Sequence, residues 1–217
     1  MEAFVRTLKN PHQRDVFCKL LSVSDDSQVY MAGFEKNTDN KKKALGSVTL
    51  MGTYNEKKGT RDVYDVKIYG EGKASFWCSC PYHKFKSSKE GTVCKHICFL
   101  VSKVAKHFSP EFYDTKLLPA DVMQRLVDRL ETRVDCKPVD TIDIKSFTVS
   151  EKPIDDVCPI CYDDIAVAEL CCPSCGCHVH EGCMDVWLER QQTCVYCRSD
   201  VWKHYSDAKS GKKIVAA

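Results

Sequence analysis

Residues 158–197 read CPICYDDIAVAELCCPSCGCHVHEGCMDVWLERQQTCVYC, and their spacing decides how this part of the chain folds. Four close pairs stand out: Cys158/Cys161, Cys172/Cys175, His180/Cys183 and Cys194/Cys197. Two residues separate the members of each pair, and the pairs lie ten, four and ten residues apart. A two-residue gap lets both side chains grip one ion with little backbone distortion. Eight thiolate and imidazole ligands supply two complete tetrahedra of the kind Zn²⁺ favours. A segment of about forty residues cannot bury enough apolar area to fold unaided. Structural zinc contributes on the order of 10–16 kcal/mol in small finger peptides, so metal should decide whether this segment folds.

Composition points the same way. The chain has 217 residues, fifteen of them cysteine, and an odd count cannot pair completely within one chain. Met1–Asn10 lacks the basic start and apolar run of a secretory leader, and no apolar stretch approaches the roughly 18–20 residues of a membrane span. A reducing, intracellular compartment, cytoplasmic or nuclear, is therefore expected, and clustered cysteines there favour zinc over disulfides. Lys+Arg 32 against Asp+Glu 30 makes no global polycation, and no membrane partner is expected. Local basic runs at Lys41–Lys43, Lys57–Lys58 and Lys84–Lys89 read as solvated loop charge, with a nucleic-acid footprint as the alternative.

Outward from the cluster, the expected class is α+β, built from small zinc-stabilised domains. Residues 1–61 read as a β-rich region. Val29–Met31, Ser47–Met51 and Val63–Tyr69 are rich in β-branched and aromatic residues between polar turns. In the last of these, Val66 and Ile68 share one face, Lys67 and Tyr69 the other. A hairpin around Gly70–Gly72 then leads to Phe76 and Trp77. A helix is expected over 97–107, where Ile97, Leu100, Val101, Val104 and Ala105 fall at helical spacing. Residues 109–154 read as a helical segment and linker. The helix covers Ala120–Thr132 behind Pro119, and 137–156 has no helical period. The tail, 201–217, reads as flexible, frayed after Ser206.

A second ligand set lies at Cys78-x-Cys80 and, thirteen residues on, Cys94-x-His96. One pair follows a strand and the other opens a helix, so one ion would pin hairpin to helix. Four donors close the coordination shell, which argues for structural zinc. Phe76-Trp77-Cys78-Ser79-Cys80-Pro81 and Cys94-Lys95-His96-Ile97 resemble the SWIM zinc finger, and the expected domain spans 62–108. That family is associated with nucleic-acid and protein contacts, so the resemblance implies a binding module. Cys98 reads as a small core residue, and His83 as a solvated side chain of the loop.

The series at 155–200 resembles the RING family, whose ligands interleave. On that pattern Cys158, Cys161, His180 and Cys183 hold one ion, and Cys172, Cys175, Cys194 and Cys197 the other, making three zinc ions in the chain. Cys171 could replace Cys172, or Cys175 and Cys177 could serve as third and fourth ligands. Cys172-Pro-Ser-Cys175-Gly176 is favoured because a glycine follows the turn, which leaves His178 as a spare exposed histidine. PHD-type readers share the cross-brace but usually carry an aromatic residue at the position of Gln192. Ile160, Trp187 and Arg198 match RING ligases. The resemblance implies that Ile160 and Trp187 line the shallow apolar groove for a ubiquitin-conjugating enzyme. It also implies that Arg198 bridges that enzyme and ubiquitin through its forked donors. Val195 departs from the proline many RINGs carry there, which bears on that groove.

A SWIM finger followed by a RING is similar to SWIM-domain and kinase-linked RING E3 ubiquitin ligases, and Val179–Trp187 resembles their helix-side motif. This implies a ubiquitin transferase whose N-terminal half selects a protein substrate. No kinase region is present. A non-catalytic adaptor or nucleic-acid-binding protein is the alternative, with Lys84–Lys89 as its best feature.

Overall fold

Alternating apolar and polar residues from 44 to 69 produce the longest hairpin of the molecule. The computed structural model describes residues 2–21, 28–38, 44–70, 72, 74–132, 137, 139–150, 152–155 and 157–215. Lys41–Lys43 and Glu71, within two of the expected turns, lie outside them. The chain forms two compact units, Met1–Glu131 and Thr132–Ala217, with helix and sheet in both.

In the first unit, β1 (Tyr30–Lys36), β2 (Ala44–Asn55), β3 (Thr60–Tyr69) and β4 (Phe76–Cys78) form an antiparallel sheet in that order. Val48 faces Val66 across β2 and β3, and Cys78 faces Val66 across β3 and β4. The β2–β3 register slips between Met51 and Tyr54, across Gly52 and Thr53. Val66 and Ile68 are fully buried while Lys67 is exposed, as their alternation requires.

The expectation of a β-rich start misses two helices, α1 (Glu2–Val5) and α2 (Pro11–Leu21). Asn10 Oδ1 accepts from the backbone N–H groups of His12 and Gln13 at 2.9 and 3.3 Å, the office of an N-cap, and Pro11 follows it. Val16, Phe17 and Leu20 face inward with Gln13. The Gln13 amide is buried because it donates to Val93 O and Cys98 Sγ and accepts from Val93 N. Cys98 is indeed a core residue.

A π-helical turn at His83–Ser87 continues into α3 (Ser88–Glu90). The helix expected over 97–107 begins earlier, as α4 (Lys95–Phe99), and runs on as a π-helical turn, Leu100–Val104. It packs against α2, and α5 (Pro110–Thr115) and α6 (Ala120–Glu131) follow it. Leu126 and Leu130 of α6 are buried, on the stripe expected of them.

The second unit corrects two expectations. Stretch 137–156 is not a plain linker. It carries β5 (Thr141–Ile142) and α7 (Ile144–Thr148), the latter opened by a capping box in which Ser146 N donates to Asp143 Oδ1 at 3.1 Å. Nor does the tail fray at Ser206: α9 (Tyr205–Lys209) and β8 (Ile214–Val215) follow, and β8 pairs antiparallel with β5. What joins these distant pieces is an aromatic cluster. Phe147, Trp202 and Tyr205 lie with ring centroids 4.9–5.4 Å apart, edge-on or tilted. Between them lie β6 (Leu170–Cys171), β7 (His178–Val179) and α8 (Glu181–Leu188). Among the described residues, no helix is long and apolar enough to cross a membrane.

Candidate metal centres

Three of the four close pairs at 158–197 fold into the same turn. Tyr162 N donates to Cys158 O at 2.8 Å, Gly176 N to Cys172 O at 2.7 Å and Arg198 N to Cys194 O at 3.1 Å. A second bond closes each turn: Cys158 N to Asp163 O, Cys172 N to Cys177 O, and Cys194 N to Ser199 O, at 2.8–2.9 Å. The residue after each second cysteine turns left-handed, with φ of 59° at Tyr162, 72° at Gly176 and 64° at Arg198. Only Gly176 adopts that conformation without steric cost. The fourth pair differs. His180 caps α8, and Met184 N donates to His180 O as the helix begins.

These turns settle the register. Cys172, Cys175, Cys194 and Cys197 bring their sulfurs within 4.8 Å of one another, and so do the donor atoms of Cys158, Cys161, His180 and Cys183. Cys171, on β6, has its sulfur near Ser146 O instead, and Cys177 contacts Cys175 O. The interleaved pairing is therefore the one present. His178 is not an exposed spare. It is buried on β7 opposite Cys171, where its Nδ1 and backbone N lie 3.2 and 2.6 Å from the Asp155 carboxylate.

Cys78, Cys80, Cys94 and His96 form a third group, also within 4.8 Å. Cys78 closes β4, and Cys94 and His96 stand at the start of α4. His83, in the loop between the pairs, is half-buried rather than solvated. Its ring packs edge-on to Trp77, and burial pushes its pKa down.

The spacings suit zinc. With bonds of about 2.3 Å to sulfur and 2.05 Å to nitrogen, the edges of a tetrahedron are about 3.8 Å for S···S and about 3.6 Å for S···N. Cys172–Cys197 and Cys175–Cys194 are 3.9 and 3.8 Å apart. His180 Nδ1 stands 3.4 and 3.7 Å from the sulfurs of Cys161 and Cys183, and His96 Nδ1 3.7 Å from Cys78. Each group could hold one metal ion through four donors, leaving no open position.

Each group mixes thiols held low with thiols held high, and the neighbouring Cys177 is held low as well, by Cys175. In each group one thiol is held well below its usual range by the S–H of its pair partner: Cys80 by Cys78, Cys158 by Cys161, Cys172 by Cys175. Burial instead pushes Cys98 up, and Cys171 to about 11.

Beyond the donors, His180 Nε2 lies 3.3 Å from Asp164 O, an acceptor that orients the ring when Nδ1 binds metal. His96 packs on Tyr64 with centroids 4.6 Å apart. Only spatial neighbourhood marks Tyr64 and Asp164, and no motif carries them.

The three remaining candidate residues gather on the second unit. Ile160 and Trp187 are 0% and 1% exposed, and the Trp187 indole N–H donates to Thr193 O at 2.7 Å. The half-buried Arg198 sets its guanidinium 5.5 Å from the Trp187 ring centroid, within cation–π reach. No curated protein and no solved structure matches the chain. Residues 156–198 match the family model for the Ring finger domain, and this segment is a RING-type zinc finger.

Proposed function

We propose that this chain is a RING-type E3 ubiquitin-protein ligase with three zinc ions. Its RING would recruit a ubiquitin-charged conjugating enzyme, and a SWIM-type finger at 62–108 with the N-terminal region would hold a protein substrate. The observation that carries the reading is the cross-braced RING finger with Arg198 lying over Trp187.

Closed shells give the zinc a structural office and no substrate to activate. Acceleration then comes from geometry: a conjugating enzyme and its thioester-linked ubiquitin are held in conformers close to attack. Because Ile160 and Trp187 are buried, their part is to brace the docking surface from beneath. Arg198, left-handed and anchored by its own N–H to Cys194 O, presents forked donors at a fixed place. Free thiolates require a reducing compartment, which fits the cytoplasm or nucleus.

The test is reconstitution with activating enzyme, a panel of conjugating enzymes and ubiquitin. Chain formation should fall at least tenfold in Arg198→Ala with zinc content unchanged. Silence with the whole panel would remove the reading.

One observation favours a second reading, nucleic-acid binding by the first unit. Trp77, 38% exposed, has Lys67 Nζ and Lys84 Nζ 5.7 and 5.8 Å from its ring centroid, and Phe85 beside Lys84 is 67% exposed. An exposed aromatic between ammonium groups suits a stacked base and its phosphate. Salt-sensitive binding of single-stranded oligonucleotides, lost in Trp77→Ala, would establish it, and binding indifferent to that change would end it.

A further inference from the structure

Beside the first metal centre lies a pocket of about 480 Å³, open on one side. Val16, Pro81 and the rings of Tyr64 and Tyr82 give it apolar walls, while Lys19 and Lys95 bring ammonium groups. Among the described residues no lining residue is acidic, and the carboxylates of Asp62 and Glu90 stand behind the walls, on the hydroxyls of Tyr64 and Tyr82. Lys95 Nζ donates to Thr53 Oγ1 at 2.9 Å, which fixes it on the rim. Arg61 and Lys19 both lie near enough to oppose its charge. Three thiolates and a divalent ion would leave the metal centre with one net negative charge against the two lining ammonium groups. Two ammonium groups therefore face an apolar pocket of small-ligand size.

We propose that this pocket receives the carboxyl terminus of a protein substrate, with the terminal carboxylate at Lys19 and Lys95 and an apolar last side chain against Val16 and Tyr64. The assignment rests on the ligase reading for its choice of a protein ligand. A chain terminus is the one peptide feature that couples a carboxylate to an adjacent side chain at fixed distance. The walls are aliphatic and phenolic, and Tyr82 OH is already turned away to the Glu90 carboxylate and Thr92. Few donors and acceptors thus remain for the edges of a nucleobase.

The test uses the full zinc-loaded chain and fluorescein-labelled octapeptides ending in Leu, Val, Phe or Tyr. Each is made as the free acid and as the C-terminal amide, and binding is read by anisotropy. Free acids should bind, and amidation should weaken them at least tenfold. Lys19→Glu, on the exposed face of α2 and not itself a metal ligand, should weaken them at least fivefold with zinc content unchanged. Lys95→Gln should do the same. Equal binding of acid and amide, indifference to Lys19→Glu, no binding at all, or tighter binding of adenosine monophosphate would overturn the assignment. Ubiquitin-chain formation is measured in parallel. Chains without peptide binding would remove this inference alone, and peptide binding without chains would remove the ligase reading alone.

Discussion

His96 and His180 both turn Nδ1 toward a set of thiols, yet they stand in opposite surroundings. His96 is buried under Tyr64, and its Nε2 has no hydrogen-bond partner among the described residues. His180 is half-buried, with Nε2 on the Asp164 carbonyl. The contrast extends to their units. In the first, the metal site is set into a sheet and helix core that includes Phe17, Leu50, Ile68, Phe99 and Leu126, all fully buried. In the second, two candidate metal sites share the interior with buried side chains such as Ile160, Met184 and Trp187 and with the Phe147 cluster. By this contrast the first unit would hold its metal, and the second would be held by its metal.

The sharpest way to break this comparison is to remove the metal. Chelation should abolish amide protection throughout residues 157–199, where about 10–16 kcal/mol per structural ion is at stake. The β2–β3 hairpin should stay protected in hydrogen exchange. Loss of both together would show that the first unit also depends on its ion. Next in size is Phe147→Ala, which empties the centre of the aromatic cluster. It should cost about 3–5 kcal/mol in denaturant unfolding of the second unit and leave the first unchanged.

Gly52→Ala probes the tight packing around His96. A Cβ there would stand 2.9 Å from His96 Nε2, against a ring that a bound metal would hold in place. Overpacking of this kind costs about 1–3 kcal/mol. Metal analysis should show loss of one ion while the two ions of the RING stay. Retention of all three would mean that the sheet yields more easily than its register suggests. Gln13→Ala leaves the buried N–H of Val93 without its acceptor, a loss of about 1–3 kcal/mol confined to the first unit. Smallest of all is Lys209→Ala. Its pair with Glu181 is solvent-exposed on both sides, and the unfolding midpoint should not move measurably.

The donors were readable from the chain because each turn is local. A backbone loop of five residues brings two ligands to one ion, so spacing alone carries the information. The same locality explains why 120–131 was legible as a helix: its apolar stripe repeats within a few turns. Helix α2 carried signals of equal quality, Asn10-Pro11 before Val16, Phe17 and Leu20, but they stand among residues that otherwise read as strands. The segments 137–149 and 200–215 were illegible for a different reason. Short elements such as α7, α9 and β8 have little stability alone. They are ordered by meeting one another across about sixty residues of intervening chain.

The sequence by itself picked out the three candidate ligand sets and, among Cys171, Cys172, Cys175 and Cys177, favoured one turn while leaving the alternatives open. Ligand identity and two-residue spacing are properties of the chain, whatever surrounds it. Only the tertiary structure decided that His178 is buried on Asp155, that Ile160 and Trp187 lie beneath the surface, and that Lys19 and Lys95 line one pocket beside the first centre. Burial and charge clustering depend on which distant segments close over a residue, and that is settled by packing, not by spacing.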